Sequence, residues 1–258
     1  MHIVSVVNQK GGVAKTTTCA NLGACLARRN QRTLLLDMDP QANLTLGLYQ
    51  AWDPLLYGLS EVLLDPVARP LAPILRQIGD APLCLAPGHM EMARGEALLT
   101  SASEPAYRLR QALQPLLKAD IFDWVLIDCP PSLGLLTQNA LAASTHLLIP
   151  TEPKFYAFAG MDTLNTLLTG LAREGHVRLH LLGVVLTMVE TQARLHKTIA
   201  AEIRERFGGK VFDTMIHKNA RLAEAEVEGS PIVTFDKRAR SARNYEALTD
   251  EILQRIAT

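Results

Sequence analysis

Aromatic residues are scarce in this chain. Phe, Trp and Tyr together make up 5% of 258 residues, while apolar residues reach 48%. A core built from that stock is aliphatic, as in sheets buried on both faces. Cysteine is scarcer still: Cys19, Cys25, Cys84 and Cys129, none in a C-x-x-C pair and none at zinc-site spacing. That excludes a disulfide scaffold and a zinc module. It points to a reducing, cytoplasmic setting, with Cys19 and Cys25 packed as small core residues. Net charge is absent, with 26 Lys and Arg against 26 Asp and Glu, so bulk charge names no partner. No apolar run approaches the roughly 18 residues of a spanning helix. Strand-like HIVSVV opens the chain where a secretory leader would be basic. One domain over residues 1–258 is therefore expected, with nothing appended before it.

What is present is an alternation of two patterns. Short apolar runs at 2–7, 33–37, 83–86, 124–128, 146–149, 180–186 and 211–215 predict strands. Between them, amphipathic stretches at 15–29, 105–117, 134–143, 160–174, 195–207 and 244–256 predict helices. Continuous apolar strands separated by helices specify an α/β fold: a mostly parallel, twisted sheet with helices on both faces. Residues 50–82, rich in Leu and Pro, predict short helices and loops.

Between the first strand and the first helix lies NQKGGVAKTTT, residues 8–18. The standard phosphate-binding loop is G-x-x-x-x-G-K-[ST]. Anchored on Lys15 and Thr16, it requires glycine at 9 and 14, where Gln9 and Ala14 stand. The position in the fold is still that of a phosphate site. Gly11 and Gly12 let the backbone N–H groups of residues 11–17, Val13 and Thr17 included, converge on an anion at the helix N-terminus. Lys15 reaches the β- and γ-phosphates, and the Thr16 hydroxyl ligates Mg²⁺. If position 14 needs a positive φ, its alanine costs of order 1 kcal/mol.

Two acidic stretches suit the same chemistry. TLLLDMDPQANLT ends a strand with Asp37 and Asp39, two residues apart. FDWVLIDCPPSLG is apolar up to Asp128 and then breaks at Pro130 and Pro131, which is the form of a Walker B strand. Ligands of parallel sheets bind beyond the carboxyl ends of the strands. Thr16, Asp39 and Asp128 are thus the candidate Mg²⁺ ligands.

Lys10 completes the variant K-G-G-x-x-K-[ST]. With it the chain resembles the deviant Walker A loop of the ParA/MinD group of P-loop NTPases. The segments GVVLTMV, IHKNARLAEAEVEGSPI and FDKRARSARNY resemble the C-terminal half of chromosomal, Soj-type ParA proteins. The resemblance implies an ATPase that uses ATP and Mg²⁺ and forms a homodimer on ATP binding, with Lys10 reaching the partner's phosphates. It implies catalytic roles for Lys10, Lys15 and Asp39, with the hydrolytic water near Asp39 and Asp37 near the Mg²⁺ shell. It places the base pocket near Met188, His217 and Asn219.

Residues 194–243 carry 11 Lys or Arg against 7 Asp or Glu. The resemblance implies that this half binds non-specific double-stranded DNA. Arg221, Arg238 and Arg240 fall on arginines of the family pattern; Gln192 replaces another, with Arg194 two residues on. It further implies a ParB-type centromere-binding partner and a nucleoid-associated location. Other readings share the ATP site. A MinD-like membrane ATPase would end in a basic amphipathic helix, whereas NYEALTDEILQRIAT is acidic. An iron-protein reductase needs paired cluster cysteines. An ATP-gated localiser of another cargo would differ mainly in slower hydrolysis.

Overall fold

The computed structural model describes residues 1–49, 57–154, 161–173, 179–190 and 193–257. In chain order the first elements are β1 (His2–Val6), α1 (Lys15–Arg28), β2 (Thr33–Asp37), α2 (Asn43–Leu48), α3 (Leu59–Leu64), β3 (Arg76–Gln77), β4 (Leu83–Ala86) and α4 (Met92–Leu99). Then come α5 (Arg108–Ala119), β5 (Trp124–Asp128), α6 (Leu135–Ala143), β6 (His146–Thr151), α7 (Met161–Arg173) and β7 (His180–Val189). The chain continues through α8 (Arg194–Phe207), β8 (Val211–His217), α9 (Ala220–Val227), α10 (Ile232–Phe235) and α11 (Arg240–Ala257). The strands form one sheet in the order β3-β4-β2-β5-β1-β6-β7-β8. All pairings are parallel except β3 with β4.

The strands bury side chains on both faces, alternating along each strand. In β2, Leu34 and Leu36 join the core under α3 to α8, while Leu35 joins the core under α1 and α9 to α11. Val125 and Ile127 of β5 go one way, Trp124 and Leu126 the other. Helix α1 seats closely because Gly23 faces β2: a Cβ there would lie 2.6 Å from Leu35 Cδ2. The last helix, α11, buries Tyr245, Leu248 and Ile252 in the second core. Its apolar face is therefore already occupied. Among the described residues no helix is long and apolar enough to cross a membrane.

All seven expected strands are present, and those at 33–37, 83–86 and 124–128 coincide with the expectation. Four helices were not expected: α2, α4, α9 and α10. They are short and held by packing rather than by their own periodicity. Met92 and Leu99 of α4 are fully buried, and α4 lies against α3. Within 50–82, α3 and the short strand β3 are found; residues 50–56 lie outside the described residues.

The amino-terminal ends of β5, β1, β6 and β7 carry a row of rings, at the opposite edge from the strand-end carboxylates. Trp124 and His2 are 4.9 Å apart, His2 and His146 5.8 Å, and His146 and His180 5.9 Å. Burial holds the pKa of both His2 and His146 below the ordinary histidine value; the N-terminal ammonium adds to this at His2, the neighbouring imidazoles at His146.

Candidate functional site: a phosphate loop facing strand-end carboxylates

The site is assembled where three strands end together. Val6 pairs in register with Asp128, and Asp128 with Asp37. From Val6 the chain enters the loop that leads to α1. Asn8 fixes the loop's first half: its Nδ2 donates to Pro150 O at 2.8 Å, and its Oδ1 accepts from Lys10 N at 3.0 Å. Gly12 has φ +73°, and no atom lies within 4 Å of a Cβ placed there. Glycine is needed for the backbone turn, not for space. Ala14 has φ 63° and ψ 36°, so the position does take the left-handed conformation. Val13 is held from below by the Thr187 hydroxyl, 3.0 Å from its carbonyl oxygen.

No side chain caps the N-terminus of α1, so its first N–H groups are free for a ligand. Lys15 is buried, and its Nζ donates to Lys10 O at 3.3 Å. Burial lowers its pKa, while the Asp128 and Asp39 charges act to raise it.

The three carboxylates differ in what satisfies them. Asp37 is fully tied into the protein. Its Oδ1 accepts from Asp39 N at 3.2 Å, and its Oδ2 accepts from Thr45 N and Thr45 Oγ1 at 2.8 and 2.7 Å. Thr45 Oγ1 in turn accepts from Gly88 N at 2.8 Å. Burial pushes Asp37 up to about 6 against these hydrogen bonds. The expectation of Asp37 near a Mg²⁺ shell thus meets a carboxylate already committed to holding α2. Asp39 is nearly buried, lines the cavity, and accepts from Gln41 N at 2.9 Å through Oδ1.

Asp128 is fully buried, yet neither oxygen has a hydrogen-bond partner among the described residues. Burial, then the Asp37 charge, push it well above the ordinary carboxylate range; the Thr16 hydroxyl, outside hydrogen-bonding geometry, and Lys15 pull the other way. A buried carboxylate without a donor fits a cation. No cluster of three or more His, Cys, Asp or Glu suited to a metal is found among the described residues. Mg²⁺ takes one or two carboxylates and completes its shell with water and phosphate. Burial raises the thiol pKa values of Cys19 and Cys129, so neither supplies a thiolate nucleophile.

A cavity of about 1010 Å³ opens over this row. Gly11, Gly12, Ala14, Lys15, Thr16 and Thr17 line it, as do Met188, His217 and Asn219. The expected base-pocket residues therefore share the cavity with the loop. Asn219 is largely committed: its Oδ1 caps α9 at Arg221 N, 3.0 Å away, and its Nδ2 donates to Ser241 Oγ at 3.3 Å. His217 Nδ1 lies 3.2 Å from Asn244 Oδ1. Asn21 and Glu226 also line the cavity and were not anticipated. Asn21 joins Thr17 O to Ile232 N through its side chain at 2.8 and 2.7 Å. A polar residue one turn after Thr17, on the apolar face of α1, was the available signal.

Lys10 does not line this cavity. Its Nζ pairs with Glu152 Oε2 at 3.0 Å, and Glu152 also pairs with Lys154 at 2.7 Å. Burial acts to raise the Glu152 pKa, but hydrogen bonds from Lys154 and Lys10 hold it below the ordinary value. Arg221 sits on α9 with its charge engaged: it pairs with Glu224, and with Asp236 Oδ2 at 3.2 Å, and lies over the Phe235 ring. Asp236 also accepts from Arg238 N at 3.0 Å, so it joins Arg221 to the Arg238 backbone. Arg238 and Arg240 are exposed. Arg194 opens α8, away from that cluster in sequence; its side chain and Gln192 lie outside the described residues.

A glycine-bent loop feeding a helix N-terminus, with strand-end carboxylates across it, defines a P-loop nucleotide-binding protein. The family described as AAA domain matches residues 1–181. The chain is 39% identical over 255 residues to the chromosome partitioning protein ParA of Myxococcus xanthus, covering 98% of this chain and 88% of that one. It is 37% identical over 250 residues to the sporulation initiation inhibitor protein Soj of Bacillus subtilis, covering 97% of each. Among solved structures, cobyrinic acid a,c-diamide synthase from Mycobacterium smegmatis, bound to ADP and magnesium, superposes with a TM-score of 0.84 at 30% identity. That match covers 100% of this chain and 96% of the synthase. The chain belongs to the ParA/Soj family of P-loop ATPases.

Proposed function

We propose that this protein is an ATP-dependent DNA-partitioning ATPase, active as a nucleotide-formed dimer. The observation that carries the nucleotide half is Asp128, a fully buried carboxylate with no donor, facing Thr16 and Lys15 across the loop. Relatives named for chromosome partitioning support the biological half.

ATP phosphates lie over the N–H groups of residues 11–17, with Lys15 against the β- and γ-phosphates. Thr16, Asp39 and Asp128 would hold Mg²⁺, which would supply charge neutralisation at the phosphates for phosphoryl transfer to water. Asp39, at the cavity wall, orients that water. Met188, His217 and Asn219 surround the base. Lys10 leaves Glu152 to meet the partner subunit's phosphates, so hydrolysis is slow until two subunits face each other. Arg194, Arg221, Arg238 and Arg240 then contact DNA phosphates without reading sequence, and two copies strengthen a weak contact. A ParB-type protein stimulates hydrolysis and releases the dimer from the nucleoid.

The test is DNA co-sedimentation at low salt with ATP, ADP or no nucleotide, repeated at raised salt. Retention that requires ATP and falls steeply with salt is expected. Absence of DNA binding in every state would overturn the DNA half and favour an ATP-gated localiser of another cargo.

A further inference from the structure

One wall of the cavity carries a carboxylate that a phosphate site does not require. Glu226, near the end of α9, accepts a hydrogen bond through Oε1 from the Thr17 hydroxyl at 2.7 Å, across 209 residues of sequence. Thr17 is the third residue of α1, at the uncapped helix end where phosphate oxygens settle. Both side chains line the same cavity as Lys15 and Thr16. Among the described residues no basic side chain pairs with Glu226.

A threonine hydroxyl has one proton to donate. It can give that proton to Glu226 or to a phosphate oxygen, but not to both. Phosphate and carboxylate are also of like charge, so close approach disfavours both. Helix α9 is well placed to transmit such a competition. It packs against α2, which is anchored to Asp37 through Thr45, and against α10, which packs on α1 and α11.

We propose that Glu226 is a latch on the nucleotide site: it holds Thr17 in the empty protein, opposes incoming phosphates, and releases α9 when they displace it. This rests on the reading of the cavity as the nucleotide site. Glu226 thereby sets nucleotide affinity, and α9 registers whether the site is filled.

The full chain, Glu226→Gln and Glu226→Ala are titrated with ADP by calorimetry, at low salt and at about 0.5 M salt. Glu226→Ala is expected to bind ADP about three- to tenfold tighter at low salt, with the advantage shrinking as salt screens the repulsion. Glu226→Gln, which keeps an acceptor for Thr17 but no charge, is expected to fall between. The second readout is hydrogen exchange over residues 220–227. Exchange is expected to quicken in the parent protein on adding ADP, and to be quick already in Glu226→Ala without it. ADP binding that is unchanged or weaker in Glu226→Ala would overturn the latch, as would exchange in α9 that ignores ADP. A parent protein that binds no ADP would instead remove the nucleotide reading itself, and the latch with it.

Discussion

Ala14 holds a left-handed backbone that an L-residue with a Cβ adopts only at a cost of roughly 1–2 kcal/mol. Glycine would remove that cost but return some of it as chain entropy in the unfolded state. Ala14→Gly is therefore expected to stabilise the protein by about 0.5–1 kcal/mol, read from urea unfolding. Ala14→Val, with a branched Cβ, should lose more than that; equal stability of all three would mean that the loop relaxes to another conformation. Asp128 stores strain of a different kind: a fully buried carboxyl group beside Asp37, with no hydrogen-bond partner among the described residues. Asp128→Asn should leave the ligand-free protein more stable by about 1 kcal/mol. It should also abolish the extra stabilisation that Mg²⁺ and ADP together give the parent, as read by thermal melting in matched buffers. A variant that is both less stable and still Mg²⁺-responsive would contradict the assignment.

At the scale of elements, Arg255 is one of the side chains that fasten α11 to the sheet. The Arg255 guanidinium donates to Leu182 O and Lys210 O at 3.2 Å and to Val211 O at 2.8 Å, pairs with Glu251, and stacks over Phe212. Lysine has neither the planar fork nor the stacking surface. Arg255→Lys should cost about 2 kcal/mol in urea unfolding while leaving nucleotide affinity unchanged, since the contact lies away from the cavity. The elements that sequence made legible were those with a local cause. Buried parallel strands read as continuous apolar runs, and the loop at 8–18 read from its glycines and lysines. What was hidden depends on neighbours distant in sequence. Lys10 meets Glu152 only because β1 lies beside β6. Thr45, bound to Asp37 eight residues before it, meets Gly88 only because β4 flanks β2. Arg221 is matched by Asp236 only once α9 and α10 pack. The loop residues 10–17 were legible because they form one contiguous motif; Glu226 lies within IHKNARLAEAEVEGSPI, but its meeting with Thr17, 209 residues away, has no local signal.

Across the whole molecule, the row of rings at the amino-terminal strand ends makes folding sensitive to acid. His2 and His146 have pKa values held below 6.5, so the unfolded chain binds protons there before the folded one does. Stability from these groups is complete above the unfolded value and is lost as pH falls through about 6.5, levelling off below the folded values. Relative to His146→Gln, the parent should thus lose stability as pH falls below about 6.5; parallel stability curves for the two would disprove the coupling. The opposite edge of the sheet has a different bearing on the protein's history. Val6, Asp37 and Asp128 share one register row. A residue inserted within β2 or β5 would shift a carboxylate by about 3.3 Å and turn it to the other face. A residue inserted in the turn at Gly79, before β4, would do neither. Changes in chain length are thereby confined to connecting segments, and two lineages of this protein can diverge in loop length while their strands keep the same residue count.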